Sequence, residues 1–236
     1  MRLTRQTNLI QLTFLPYLMP VNCYLIEEED GYTLIDTALP SCGKAILKTA
    51  SKPIRRIVLT HAHSDHIGAL DALKRELPDA TVYISERDAK LLAGDRTLQK
   101  DEEKSPLKGG IPRPGRIQTR PDRCLQDGDR IGSLLAISVP GHTPGSMAFL
   151  DTRTRTLIAG DALQVQGGLA VSGQLKIMFP FPAFATWNKR QAVESARKLL
   201  DLEPALLAVG HGRLLPDPAN AMSRAIQTAE QALSAK

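Results

Sequence analysis

The sequence predicts a mixed α/β chain in which two β-sheets pack face to face and helices cover both outer sides. Three observations predict it. Short runs rich in leucine, β-branched and aromatic residues alternate with stretches whose apolar residues recur at helical spacing. This alternation occurs in two similar runs along the chain. A hairpin turn, Glu28-Glu29-Asp30-Gly31, joins two of the early strands, which fits a sheet-on-sheet core better than an all-parallel sheet.

The elements follow in order. Strands are expected over 9–15, 23–27 and 32–35, then a helix over 41–50. Residues 56–60, Arg-Ile-Val-Leu-Thr, form a compact buried-strand pattern. Beyond them Ile67, Leu70, Leu73, Lys74 and Leu77 carry helical spacing up to Pro78. A strand over 81–84 and a helix over 86–92 come next. Residues 94–121 are polar and punctuated by Pro106, Gly109, Gly110, Pro112, Pro114 and Gly115, which marks a long loop or mobile insertion. Strands resume over 134–139, 147–150 and 156–158. A second loop over 164–187 precedes a helix over 188–200, a strand over 206–209 and a last helix over 219–233. The whole is expected to be one domain, residues 1–236, with those two loops as insertions.

Composition bounds the class. With 42% hydrophobic and 23% charged residues the chain can bury a sizeable core, which excludes a disordered segment. The net charge of +5 is dispersed rather than clustered, so it describes a solvated surface and nucleic acid is not expected as a partner. Cys23, Cys42 and Cys124 are odd in number and show no CxxC spacing. They argue against a disulfide framework and for a reducing compartment. The start lacks the apolar stretch of a signal peptide and no run approaches membrane-spanning length, so a cytoplasmic location and no membrane contact are expected. A homodimer is left open.

The histidines carry the functional signal. There are five, and three lie in His61-Ala62-His63-Ser64-Asp65-His66; the others are His142 and His211. Imidazole is the commonest metal-binding side chain, and neutral nitrogen with carboxylate oxygen suits zinc and other borderline divalent ions. His61 follows the strand over 56–60, His142 that over 134–139, Asp161 that over 156–158, and His211 that over 206–209. Four strands thus each deliver a candidate ligand just beyond their end, where rigid elements position side chains. A lone HxH could cap a helix and a lone aspartate after glycine could be a turn residue; seven such residues in order point to a metal.

This set resembles the metallo-β-lactamase superfamily. The motif HxHxDH is met by residues 61–66, and later motifs by Gly141-His142-Thr143-Pro144-Gly145-Ser146, Gly160-Asp161-Ala162 and Gly210-His211-Gly212. Asp36-Thr37-Ala38 resembles that family's DTG segment, with alanine where glycine is usual. The likeness covers roughly residues 20–215. It implies a four-layer αββα sandwich with two divalent metal ions, zinc first and iron or manganese as alternatives. By position, His61, His63 and His142 would bind one ion, Asp65, His66 and His211 the other, and Asp161 would bridge them. Three protein ligands per ion leave room for solvent, so a bridging hydroxide is implied as nucleophile. Asp65 would also orient it or carry a proton, whereas Asp36 is implied to be structural.

The superfamily shares a site and diverges in substrate. His63 stands where flavodiiron members have glutamate, and Gln164 where many lactonase members have tyrosine. The expected activity is hydrolysis of an ester, thioester or lactone of a small molecule. The alternatives are a mononuclear iron oxidoreductase acting on a thiol or persulfide, or a phosphodiesterase or nuclease. Phe179, Phe181 and Phe184 crowd into residues 179–187 with Trp187, as a packed loop or as an apolar wall for substrate.

Overall fold

Seven strands lie side by side in sequence order: β1 (Arg2–Gln6), β2 (Leu9–Phe14), β3 (Val21–Glu28), β4 (Gly31–Ile35), β5 (Ile54–Val58), β6 (Thr81–Ser85) and β7 (Arg123–Leu125). They belong to a computed structural model that describes residues 1–235. The first four strands pair antiparallel, and β4 through β7 pair parallel. Parallel neighbours need crossovers. Helix α1 (Gly43–Thr49) supplies one between β4 and β5, and α2 (Ser64–Ile67) with α3 (Leu70–Glu76) the next. Helix α4 (Glu86–Leu92) follows β6. Every residue of β2 and of β4 is buried, so both faces of these strands are covered, although Gln11 and Thr13 alternate with apolar residues in β2.

The chain divides into two compact units. The first holds residues 1–95 and 110–125 with this sheet; the second holds 96–109 and the chain from 126 onward. The second unit has its own six-stranded sheet, built from β8 (Arg130–Ile131), β9 (Leu134–Ser138), β10 (Met147–Asp151), β11 (Thr156–Ile158), β14 (Leu206–Ala208) and β15 (Leu215–Pro216). Its spatial order is β15-β14-β11-β10-β9-β8, with only β11 and β14 parallel. A small hairpin joins β12 (Leu163–Gln164) to β13 (Ala170–Val171). The helices are α5 (Phe181–Ala185), α6 (Lys189–Leu200) and α7 (Ala219–Ser234). The apolar faces of α6 (Ala192, Val193, Ala196, Leu199) and α7 (Met222, Ala225, Ile226, Ala229) share one core with Leu157, Leu207 and Val209. Among the described residues no helix is long and apolar enough to cross a membrane.

Most expected elements occur within a residue or two of their expected bounds. The helix expected beyond Ile67 is instead broken into α2 and α3. Gly68 sits at the break, where its amide donates to the Ala38 carbonyl at 2.8 Å. A Cβ there would lie 2.6 Å from Pro40 Cδ and 2.7 Å from the Ala38 oxygen, so only glycine lets the chain pass. Strand β1 lacks a sequence signal because its residues are mostly polar and exposed; pairing with β2, not burial, creates it. The polar stretch 94–121 holds no helix or strand, as expected. Its second part is pinned nonetheless, since Asp71 accepts from the amides of Gln118 and Thr119 and from the Thr119 hydroxyl.

Candidate metal centre

In the first unit, β5 delivers His61 and His63, and Asp65 and His66 lie in the single turn of α2. The rings of His61 and His63 meet edge to face at 4.8 Å, and those of His61 and His66 lie 4.1 Å apart. All three imidazoles are buried, whereas the Asp65 side chain keeps 33% of its surface. His66 Nε2 and Asp65 Oδ2 are 3.9 Å apart.

Behind these rings stands Asp36, at the end of β4. Its Oδ1 accepts from the Thr60 amide at 2.8 Å, and its Oδ2 from the Thr60 hydroxyl at 2.8 Å. The same Oδ2 lies 2.8 Å from His66 Nδ1, and Thr60 Oγ1 is 3.0 Å from His61 Nδ1. With its proton given to Asp36, the Thr60 oxygen accepts from His61 Nδ1–H, and the carboxylate accepts from His66 Nδ1–H. Both rings are thereby fixed in the tautomer that presents Nε2 to an ion, the usual carboxylate–histidine–metal pattern. Asp36 has φ +59° and Ala38 φ +53°. That left-handed backbone explains why glycine suits position 38, and alanine there costs on the order of 1 kcal/mol. Asp88, fully buried at the start of α4, accepts from the Ala62 amide at 2.9 Å and so holds the link between His61 and His63.

In the second unit, Asp161 is central. Its Oδ2 lies 3.1 Å from His211 Nε2 and 3.4 Å from His142 Nε2, and all three residues are buried. His142 Nδ1 faces Ser172 Oγ at 2.9 Å; Ser172 bonds Thr186 Oγ1 at 2.8 Å, and Thr186 donates to the Pro182 carbonyl at 2.6 Å. The backbone is clamped as well. Trp187 N donates to His142 O and Asn188 N to Gly141 O, just before the Asn188 side chain caps α6. Gly141 has φ +144°, and a Cβ there would fall 2.5 Å from the Ala192 backbone, so α6 seats directly on the residue preceding His142. His211 O accepts from the amides of Val165 and Gln166, which ties it to the segment after Asp161.

Each unit therefore gathers its own share of the seven expected residues. Buried imidazoles with Nδ1 engaged and carboxylates among them fit a divalent ion in chemistry and in tautomer. A solvated surface cluster would have no reason to fix its tautomers this way. Of the three phenylalanines, Phe179 is buried against the His211 ring at 5.1 Å and Phe181 at 5.4 Å, while Phe181 and Phe184 are 54% and 66% exposed. Thr60, Asp88, Ser172 and Thr186 carry no sequence signal, because a lone hydroxyl or carboxylate is ordinary until its partner is known.

Comparison with known proteins agrees with this chemistry. The family model described as the metallo-beta-lactamase superfamily matches residues 16–211. The chain belongs to that superfamily. It is 57% identical over 234 residues to YobT of Bacillus subtilis (strain 168), covering 98% of this chain and 100% of that protein. It is 31% identical over 212 residues to the probable metallo-hydrolase YflN of the same organism, covering 81% and 80%. Among solved structures it resembles TTHA1623 in a di-iron-bound form, with TM-score 0.66, 29% identity, and coverage of 89% and 96%. A metallo-beta-lactamase from Erythrobacter litoralis superposes with TM-score 0.71 at 17% identity, covering 97% and 96%. The expected fold class is thus the observed one. Members of this superfamily are generally hydrolases, and this chain carries histidine and aspartate groups suited to metal ions.

Proposed function

We propose that the protein is a cytoplasmic dinuclear zinc hydrolase that cleaves an ester, thioester or lactone bond of a small molecule. The observation that carries this reading is Asp161, whose one carboxylate oxygen stands between the Nε2 atoms of His142 and His211. A carboxylate shared in that way is what a bridging ligand requires. His61, His63 and His142 would hold one ion, and Asp65, His66 and His211 the other.

Two bound divalent ions supply an activated water at neutral pH and polarise the oxygen of the bond under attack. The chain's own contribution is orientation and proton handling. Asp36 and Thr60 hold His61 and His66 in the donor tautomer, and Ser172 and Thr186 do so for His142. Asp65, the one candidate donor that is only half-buried, would pass a proton to the departing oxygen or sulfur, a role its partial exposure supports. The remainder of the substrate would meet the exposed rings of Phe181 and Phe184, while the buried Phe179 supports His211 from behind.

Iron is the second reading for the metal, favoured by the di-iron form of TTHA1623. With iron, oxidation of a thiol or persulfide becomes available, a chemistry closed to redox-inert zinc. Elemental analysis of the purified chain together with a panel of ester, thioester, lactone and phosphodiester substrates tests both. About two zinc ions per chain and turnover on a carbonyl substrate are expected. One iron per chain with no hydrolysis would overturn the proposal.

A further inference from the structure

The first unit contains a cavity of about 430 Å³ on which none of the seven candidate donors opens. One wall is Ser64, Ile67 and Gly68 of α2 and its end, continued by Asp71, Ala72 and Arg75 of α3. The other is the loop carrying Gly110, Ile111, Pro112, Arg116 and Ile117. Its size falls in the range that takes small molecules. The loop wall is built, not draped. Ser64 N donates to Gly110 O at 2.9 Å, Ile111 and Ile117 are buried, and Asp71 anchors the following residues through Gln118 and Thr119.

The charges in the cavity are unequal. Arg75 and Arg116 both line it, and neither guanidinium has a carboxylate within 4 Å among the described residues. Asp71 is the one carboxylate in the lining, and its oxygens are occupied by the loop's amides and the Thr119 hydroxyl. Both arginines are exposed, and Arg75 already acts on Asp71 through its charge, so the excess positive charge sits at the mouth of the cavity with Arg116. The rest of the lining is mixed: Pro40, Ala72, Ile111, Pro112 and Ile117 are apolar, Ile67 is fully buried behind them, and Ser64 adds a hydroxyl.

We propose that this cavity is a binding site for a small carboxylate, a monoanion with an apolar body. Its carboxylate is held by Arg75 and Arg116 at the mouth in charge-assisted hydrogen bonds, and its hydrocarbon part lies against Pro40, Ala72 and the edge of Ile117. The site is independent of the metal-centre reading, since it shares no residue with it.

Isothermal titration of the full metal-loaded chain with octanoate, and separately with inorganic phosphate, tests this. Three variants accompany it: the double change Arg75→Ala with Arg116→Ala, Ala72→Phe to fill the cavity without altering charge, and His211→Ala. Octanoate is expected to bind the parent and His211→Ala chains alike, and the two cavity variants at least about tenfold more weakly. Phosphate, lacking the apolar body, is expected to bind more weakly than octanoate. No octanoate binding, binding that both cavity variants retain, binding lost only in His211→Ala, or tighter binding of phosphate would each overturn the proposal.

Discussion

Behind the imidazoles of the first unit the hydrogen bonds end on a carboxylate, Asp36, reached by His66 directly and by His61 through Thr60. Behind His142 in the second unit they pass through Ser172 and Thr186 and end on the Pro182 carbonyl. An anionic acceptor raises the basicity of the opposite ring nitrogen more than a neutral one does. The second unit places its carboxylate, Asp161, among the donors themselves. Both units therefore set a carboxylate beside their imidazoles, Asp65 in the first and Asp161 in the second, and only the first adds another behind them.

That contrast can be broken by substitution. Asp161→Ala removes the carboxylate shared by two histidines and should lower turnover on the order of a thousandfold, since each 1.36 kcal/mol of lost transition-state stabilisation is tenfold. Metal content should fall with it; unchanged turnover would refute the assignment. Asp36→Asn keeps the shape but removes the charge, and should weaken metal affinity or activity by about 10–100-fold. Ser172→Ala interrupts only a neutral chain, so its effect on metal affinity should be smaller, about tenfold or less. Chelator competition with both variants would show the reverse order if the difference in acceptor charge were irrelevant.

Two further changes address packing. Phe179→Ala empties a buried position against His211 and should cost about 3–5 kcal/mol by denaturant unfolding, far more than Phe184→Ala at its exposed position. The smallest effect concerns pH. Burial pulls the Asp71 carboxyl upward, but hydrogen bonds from Thr119 and Gln118 and the charge of Arg75 outweigh it and hold the group below its ordinary range. A depressed carboxyl contributes stability that is present above its unfolded value and is lost as pH falls through its folded one. Asp71→Asn should therefore lower the melting temperature near neutral pH, and the gap to the parent should close in acid.

Much of this is legible in the residues, for a physical reason. The first unit writes four candidate donors, His61, His63, Asp65 and His66, into one short segment, and imidazole is the commonest metal-binding side chain. The second unit scatters three donors over distant strands, and only their shared position after short apolar runs joins them. The expected strands and long helices follow from apolar spacing, because burial decides them. What stays hidden depends on pairing: β1 is held by β2, and β15 by β14. The hydroxyl partners stay hidden too, since nothing about Ser172 in sequence says that His142 lies 2.9 Å away. The resemblance marks Asp36 as structural, and its position shows what that structural work is: it orients His66 directly and His61 through Thr60.

The seating of Ala192 on Gly141 ties helix α6 to the residue just before His142. Helix α6 cannot shift toward Gly141 without pushing on the residue before this imidazole, and cannot withdraw without pulling on Trp187 and Asn188 just ahead of it, whose amides donate to the carbonyls of His142 and Gly141. Bulk added at Ala192 would thus be transmitted as a displacement of a donor atom. A position on an ordinary helix, carrying no polar atom in its side chain, thus bears on where a candidate donor sits.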